Sequence, residues 1–354
     1  MNKVLGLAIL IAILILTPLY TTTRGELKTL QIGTQSLPIT IDGDPSEWGT
    51  YDCTGKAPGL HLETVNNIPQ WIWCDPEGDE RTDFVNSEER DPIVDLVQFR
   101  VTADESYLYG LIIVKNMSKI TYWDSSQNKW VWTDFHIGDN GGTFVAIAIN
   151  INGSTTGAEW FAGNSNTTVN PDAKWQYQVV LNLADSRYSG QGQTQVTDTL
   201  KANWGGIFYL INSSWNFITD DNAQMGVNVN YNAIEFRIPW DRIGGVPSGG
   251  SFFLRISLIT ARGWSNYGAN QGGAWDIDEA SDALDCITNL TSETGEPLNT
   301  WYEVQDGVVN YYIDLYFATS PPYYPIPEPI VIPLLVAGAG GAFAAYLFKA
   351  RRRK

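Results

Sequence analysis

The chain has 354 residues with 22 basic against 39 acidic side chains, a net charge of −17, and it carries 14 tryptophans but only three cysteines and two histidines. Setting aside Lys3 and the five basic residues of the C-terminal tail leaves 16 basic against 39 acidic residues, a balance of −23. That surplus argues against nucleic acid, which needs clustered Lys and Arg, and the scattered thiols and histidines argue against a zinc centre.

Lys3, the apolar run 4–16 and the polar exit at 21–24 predict a secretory signal peptide over 1–23, with an uncleaved N-terminal anchor as the alternative. From 24 to 320 the sequence offers short apolar or alternating runs bounded by Gly, Asn, Asp and Pro. They predict strands over 39–42, 93–103, 107–115, 144–151, 175–183, 207–211, 233–239, 252–260 and 311–317. Residues 116–142 and 152–174 read as long decorating loops. Nine such runs without helical crossovers predict an all-β fold, an antiparallel β-sandwich ectodomain. Residues 321–329 hold five prolines, an extended stalk of about 28 Å at roughly 3.1 Å per residue. The uncharged stretch 330–348 predicts one transmembrane helix, and the basic tail 349–354 places the C-terminus in the cytoplasm. Pro327-Glu328-Pro329 before that span also resembles a sorting signal for an exosortase-type transpeptidase, against a permanent anchor.

An exported chain meets an oxidising compartment, where Cys53 and Cys74 would close a loop of about 20 residues, worth about 3 kcal/mol, and leave Cys286 as a buried apolar residue. Five sequons, at Asn116, Asn152, Asn166, Asn212 and Asn289, predict glycosylation in exposed loops.

Four segments carry a resemblance: Ile39 to Trp48 with its Asp42-Gly43-Asp44 turn, Asp95 to Asp104, Tyr107 to Val114, and Ile234 to Ile243 with Pro239-Trp240. In that order they resemble family nine carbohydrate-binding modules and the related DOMON-like domains. Ser281 to Asp285 and Trp301 to Phe317 resemble the C-terminal domain of glucodextranases and of archaeal pullulanase-type surface proteins. The resemblance covers roughly residues 37–318 and implies a jelly-roll or DOMON-like sandwich, a non-catalytic role in poly- or oligosaccharide binding at the cell surface, and structural calcium. Glycan-degrading or surface-layer proteins are the implied protein partners.

Exposed indoles flanked by amides suit the flat C–H faces of sugar rings. Trp71 and Trp73, two apart and on one side of an extended chain, are the first candidates, followed by Trp123, Trp130, Trp132, Trp160 and Trp175. Packing under a loop is the competing fate for each. Trp48 and Trp240 read as parts of the fold. For calcium, carboxylates cluster at Asp75, Glu77, Asp79 and Asp83, and again around Asp282 and Asp285, without the EF-hand spacing. No nucleophile elbow, metal-ligand pair or phosphate loop points to an enzyme. A structural glycoprotein of the envelope is the alternative. A haem-binding domain would have to draw axial ligands from His61, His136, Met117 and Met225.

Overall fold

Period-two patterning governs most of the chain, and the structure, a computed structural model, describes residues 28–80, 94–124, 126–127, 129–134, 143–161, 165–182, 200–201, 206–211, 214–218, 224–246, 250–262, 283–288, 303 and 307–319. In chain order the strands are β1 (Leu30–Gln31), β2 (Gly59–Val65), β3 (Ile68–Cys74), β4 (Leu96–Ala103), β5 (Tyr107–Val114), β6 (Lys119–Asp124), β7 (Lys129–Asp134), β8 (Thr143–Ile151), β9 (Thr168–Val169) and β10 (Tyr177–Asn182). There follow β11 (Leu200–Lys201), β12 (Gly206–Ile211), β13 (Ser214–Ile218), β14 (Gln224–Asn228), β15 (Ala233–Pro239), β16 (Ser251–Arg262), β17 (Asp285–Cys286), β18 (Val308–Val309) and β19 (Ile313–Ala318).

The fold is all-β. One seven-stranded sheet runs β11-β14-β15-β5-β4-β3-β2. The eight-stranded sheet runs β1-β19-β16-β8-β10-β12-β13, with β17 added on β16. Pairing within both is antiparallel except for β1 beside β19. The expected decorating loop 116–142 contains the separate hairpin β6–β7.

Alternation explains how the sheets meet. Val145, Ile147 and Ile149 of β8 and Leu254, Ile256 and Leu258 of β16 share one core with Phe99, Val101, Ile112, Ile234 and Phe236 from the seven-stranded sheet. Each such side chain, fully buried, contributes about 1.5–3 kcal/mol. The intervening Phe144, Ala146 and Ala148 face the other way, under Phe161, Val169 and Trp175 of the segment that follows β8. Trp240 seals the central core, its ring edge-on to Phe252 and Phe317 at 5.7 and 6.1 Å.

The outer face of the seven-stranded sheet is covered as well, and here an expectation is corrected. Residues 39–42 form no strand. Ile39 and Ile41 instead pack with Trp48, Tyr109 and Leu111 on that outer face. The backbone N–H groups of Asp42 and Gly43 are taken by the Glu235 carboxylate at 3.1 and 2.7 Å, so no neighbouring strand is needed to satisfy them. The turn lies so close to β14 that a Cβ on Gly226 would stand 2.7 Å from Asp42 N. Among the described residues no helix is long and apolar enough to cross a membrane, and 1–23 and 321–354 lie outside them.

Candidate functional site

Register decides the fate of the tryptophans. In β3, Trp71 stands opposite Val101 and Trp73 opposite Phe99, so both enter the core between the sheets. Their exposures are 5% and 0%. Trp71 Nε1 donates to the Tyr316 carbonyl in the opposite sheet at 3.1 Å, and Trp73 Nε1 donates to Asp75 Oδ1 at 2.7 Å. Trp175 is equally buried and donates to the Trp160 carbonyl at 3.1 Å. The expectation of Trp71, Trp73 and Trp175 as sugar platforms is therefore corrected: Trp71 and Trp73 share one side of β3 as foreseen, but it is the inner side, and Trp175 is packed against Phe144, Ala146 and Ala148 on the other face of the eight-stranded sheet. Trp160 is 54% exposed. Trp123 and Trp130 are cross-strand partners in the β6–β7 hairpin and Trp132 stands opposite Thr121, with side chains outside the described residues.

An open groove of about 1080 Å³ lies on the outer face of the seven-stranded sheet, between β4 and β5 and the overlying segment 44–56. The sequence builds the overlying wall locally. Asp44 accepts from Ser46 N at 3.0 Å and caps the single 3-10 turn Pro45–Trp48, whose first residue is proline. Trp48 Nε1 then anchors to Glu235 Oε1 at 2.7 Å, and Cys53 is joined to Cys74 of β3 with Cα atoms 5.5 Å apart. The floor comes from the outward positions of β4. Arg100, 4% exposed, donates from Nε to Gln98 Oε1 at 2.6 Å and from Nη1 to the Gly49 carbonyl at 2.8 Å. Among the described residues no carboxylate pairs with it, and burial lowers its pKa to about 10. On the walls, Lys56 Nζ sits 3.7 Å over the Tyr51 ring, and Tyr231, 47% exposed, stands at the rim. Sequence reasoning missed Gln98, Arg100 and Tyr231. The polar alternation at Gln98 and Arg100 marks an outward face but does not show that a groove covers it.

Where the groove meets the end of β3, its lining includes Asp75 and Glu77, and behind them lies a cluster of carboxylates. Asp75, Asp79 and Asp285 each present an oxygen within 4.8 Å of the other two, and all three are buried. Glu80 and Asp95 are buried beside them. Two elements far apart in sequence make this meeting. Asp75 N donates to the Val97 carbonyl and Gly78 N donates to Asp95 Oδ2, which folds 75–80 against the start of β4. Asp285, on β17 of the other sheet, accepts from Leu96 N at 2.6 Å through Oδ2 and from Cys286 N at 2.7 Å through Oδ1. Lys115 Nζ stands 3.6 Å from Asp95 Oδ2 and 3.8 Å from Glu77 Oε2. Burial, then the neighbouring charges of Asp285 and Asp79, hold the Asp75 carboxyl well above its usual range, and burial pushes Asp95 up to about 6 despite Lys115. Asp75 Oδ2 and Asp95 Oδ1 accept no hydrogen bond among the described residues.

Of the expected calcium residues, the structure therefore gathers Asp75, Asp79 and Asp285 into one place rather than two. The Glu77 side chain is half exposed toward Lys115, and Asp83 and Asp282 lie outside the described residues. Asn116, Asn152 and Asn166 are exposed, whereas Asn212 and Asn289 lie outside the described residues. Cys286 is buried, and burial raises its thiol pKa. Met117 and Met225 are buried between the sheets, while His61 lies across β3 on the outer side, its ring 6.2 Å from that of Tyr51. These three do not converge on a haem-sized site, and His136 lies outside the described residues. No protein-family model and no curated protein sequence matches the chain.

Proposed function

We propose that the protein is a non-catalytic glycan-binding protein of the cell surface, exported by the segment 1–23 and held at the membrane by 330–348, with the bulk of the chain outside. The groove over β4 and β5 carries this reading. Its volume of about 1080 Å³ suits several sugar units, and its lining mixes amide, guanidinium and carboxylate groups with an aromatic rim. Arg100 presents its guanidinium from a floor fixed by β4, held in place by Gln98, whose amide is committed to Tyr51 and Cys53, and Tyr231 offers an apolar face for a pyranose ring. The order of the Asp42-Gly43, Asp95 to Asp104, Tyr107 to Val114 and Ile234 to Ile243 segments, which resembles that of DOMON-like carbohydrate-binding modules, supports the same reading.

Full-length protein passed over immobilised neutral and uronate-containing glycans tests it. Saturable retention on at least one glycan is expected, without release of reducing ends. Tyr231→Ala, at an exposed position that leaves the core intact, should weaken retention by about tenfold, the loss expected for removing about 1.4 kcal/mol of aromatic stacking on a sugar ring. Trp160→Ala should leave it unchanged. The reverse pattern moves the site to Trp160 on the other sheet. A folded protein that retains no glycan leaves the second reading, a structural envelope glycoprotein, which the exposed sequons at Asn116, Asn152 and Asn166 favour.

A further inference from the structure

We infer that Asp75, Asp79 and Asp285 are protein ligands of one hard divalent cation, of the calcium class, bound where the end of β3 meets β17. The inference stands apart from the glycan reading and needs no sugar.

Three observations meet here. The first is spacing: the three ligand atoms lie within 4.8 Å of one another. Oxygens on opposite sides of an ion at about 2.4 Å are separated by about that distance, so the three fit inside one coordination shell. The second is donor chemistry. The set is carboxylate oxygen alone, with no imidazole or thiolate among the gathered atoms, which favours a hard cation over zinc or copper. The third is the state of the buried atoms themselves. Asp75 is almost wholly enclosed, yet its Oδ2 accepts no hydrogen bond among the described residues, while its Oδ1 is committed to Trp73 Nε1. Asp95, fully buried, presents a second such oxygen, Oδ1, with its Oδ2 committed to Gly78 N. Leaving buried carboxylate oxygens without a partner is unfavourable enough that a cation is the natural partner for them. Asp285 fits a ligand role because its two oxygens are already oriented by Leu96 N and Cys286 N.

The position gives the ion a task. Asp75 and Asp79 follow β3 of the seven-stranded sheet, and Asp285 belongs to β17, which pairs with β16 of the eight-stranded sheet. An ion held by all three ties the two sheets together at one end and fixes the segment 75–80 that walls the groove.

Trp73 supplies the readout. Its indole is hydrogen-bonded to Asp75, close enough to sensitise terbium bound at these carboxylates. Full-length protein purified without chelator should contain about one calcium per chain by elemental analysis. After chelation, terbium should give emission on tryptophan excitation, saturating at one site and displaced by calcium. Calcium at about a hundredfold excess over Kd should raise the unfolding midpoint by several degrees. Asp79→Asn should weaken terbium binding at least tenfold, and Trp73→Phe should lose the emission but keep calcium uptake. A folded wild-type protein that carries no calcium and gives no sensitised emission would overturn the inference and show the cluster to be held by shared protons. So would emission that Asp79→Asn and Asp285→Asn both leave unchanged.

Discussion

Glu235 illustrates how much a single residue can be asked to hold. It lies on β15 between Ile234 and Phe236, where alternation predicts a solvent-facing polar side chain. The structure buries it beneath the N-terminal segment, accepting from Asp42 N, Gly43 N and Trp48 Nε1. Burial pushes its pKa up to about 8, although all three donors pull the other way. The folded protein thus keeps a proton on Glu235 that the unfolded chain releases in the ordinary carboxylate range. Its contribution is complete below that range and is lost as pH rises to about 8. Denaturant unfolding at stepped pH should show stability falling across this interval, and the Trp48 indole N–H resonance should shift with a midpoint near 8. An indole resonance that does not titrate there would mean that the three donors keep the carboxylate ionised throughout. At this scale the sequence shows residue types but not their surroundings. Trp71 and Trp73 are legible as an aromatic pair on one side of a strand. Which side that is depends on pairing with Val101 and Phe99. Asp75 and Asp285, 210 positions apart, give no local sign that they meet.

Among the elements, the ones read correctly carry their own pattern. β4, β5, β8, β15, β16 and β19 are apolar or strictly alternating, and each is found within a few residues of its expected bounds. β2, β3 and β14 were not foreseen, for identifiable reasons. β2 is an edge strand with half-buried His61 and exposed Glu63 and Thr64, and β3 has Pro69 as its second residue. β14 holds Gly226, which weakens a strand but is required where the Asp42-Gly43 turn presses on it. Gly110 in β5 plays a related part. It stands opposite Phe236, and an added Cβ would lie 2.1 Å from the Phe236 ring. Gly110→Ala should therefore destabilise the protein by roughly 1–3 kcal/mol through overpacking, read as a lower denaturation midpoint with an unchanged slope. A neutral result would show that Phe236 has room to turn into the core.

For the molecule as a whole, both sheets are roofed: the N-terminal segment covers one outer face, and Ala158, Phe161, Val169, Ala173 and Trp175 cover part of the other. The all-β class was legible from strand patterning, but this roofing was not, because it depends on long-range contacts such as Cys53 with Cys74 across 21 positions. Cys53→Ser should lower stability by about 3 kcal/mol, measured by thermal unfolding with and without reductant, and should weaken glycan retention by loosening the wall of the groove. A variant as stable as the parent would show that Trp48 and Glu235 hold that wall unaided. The two ends of the described chain also meet, since β1 runs parallel to β19, which in turn pairs with β16 over six residues. The hydrogen bonds of those ladders lie across the strand axis. Tension entering through residue 319 therefore pulls along β19 and loads its rungs together, in shear, rather than opening them one after another. A body tethered from that side transmits drag into the interior of its sheet instead of peeling at an edge.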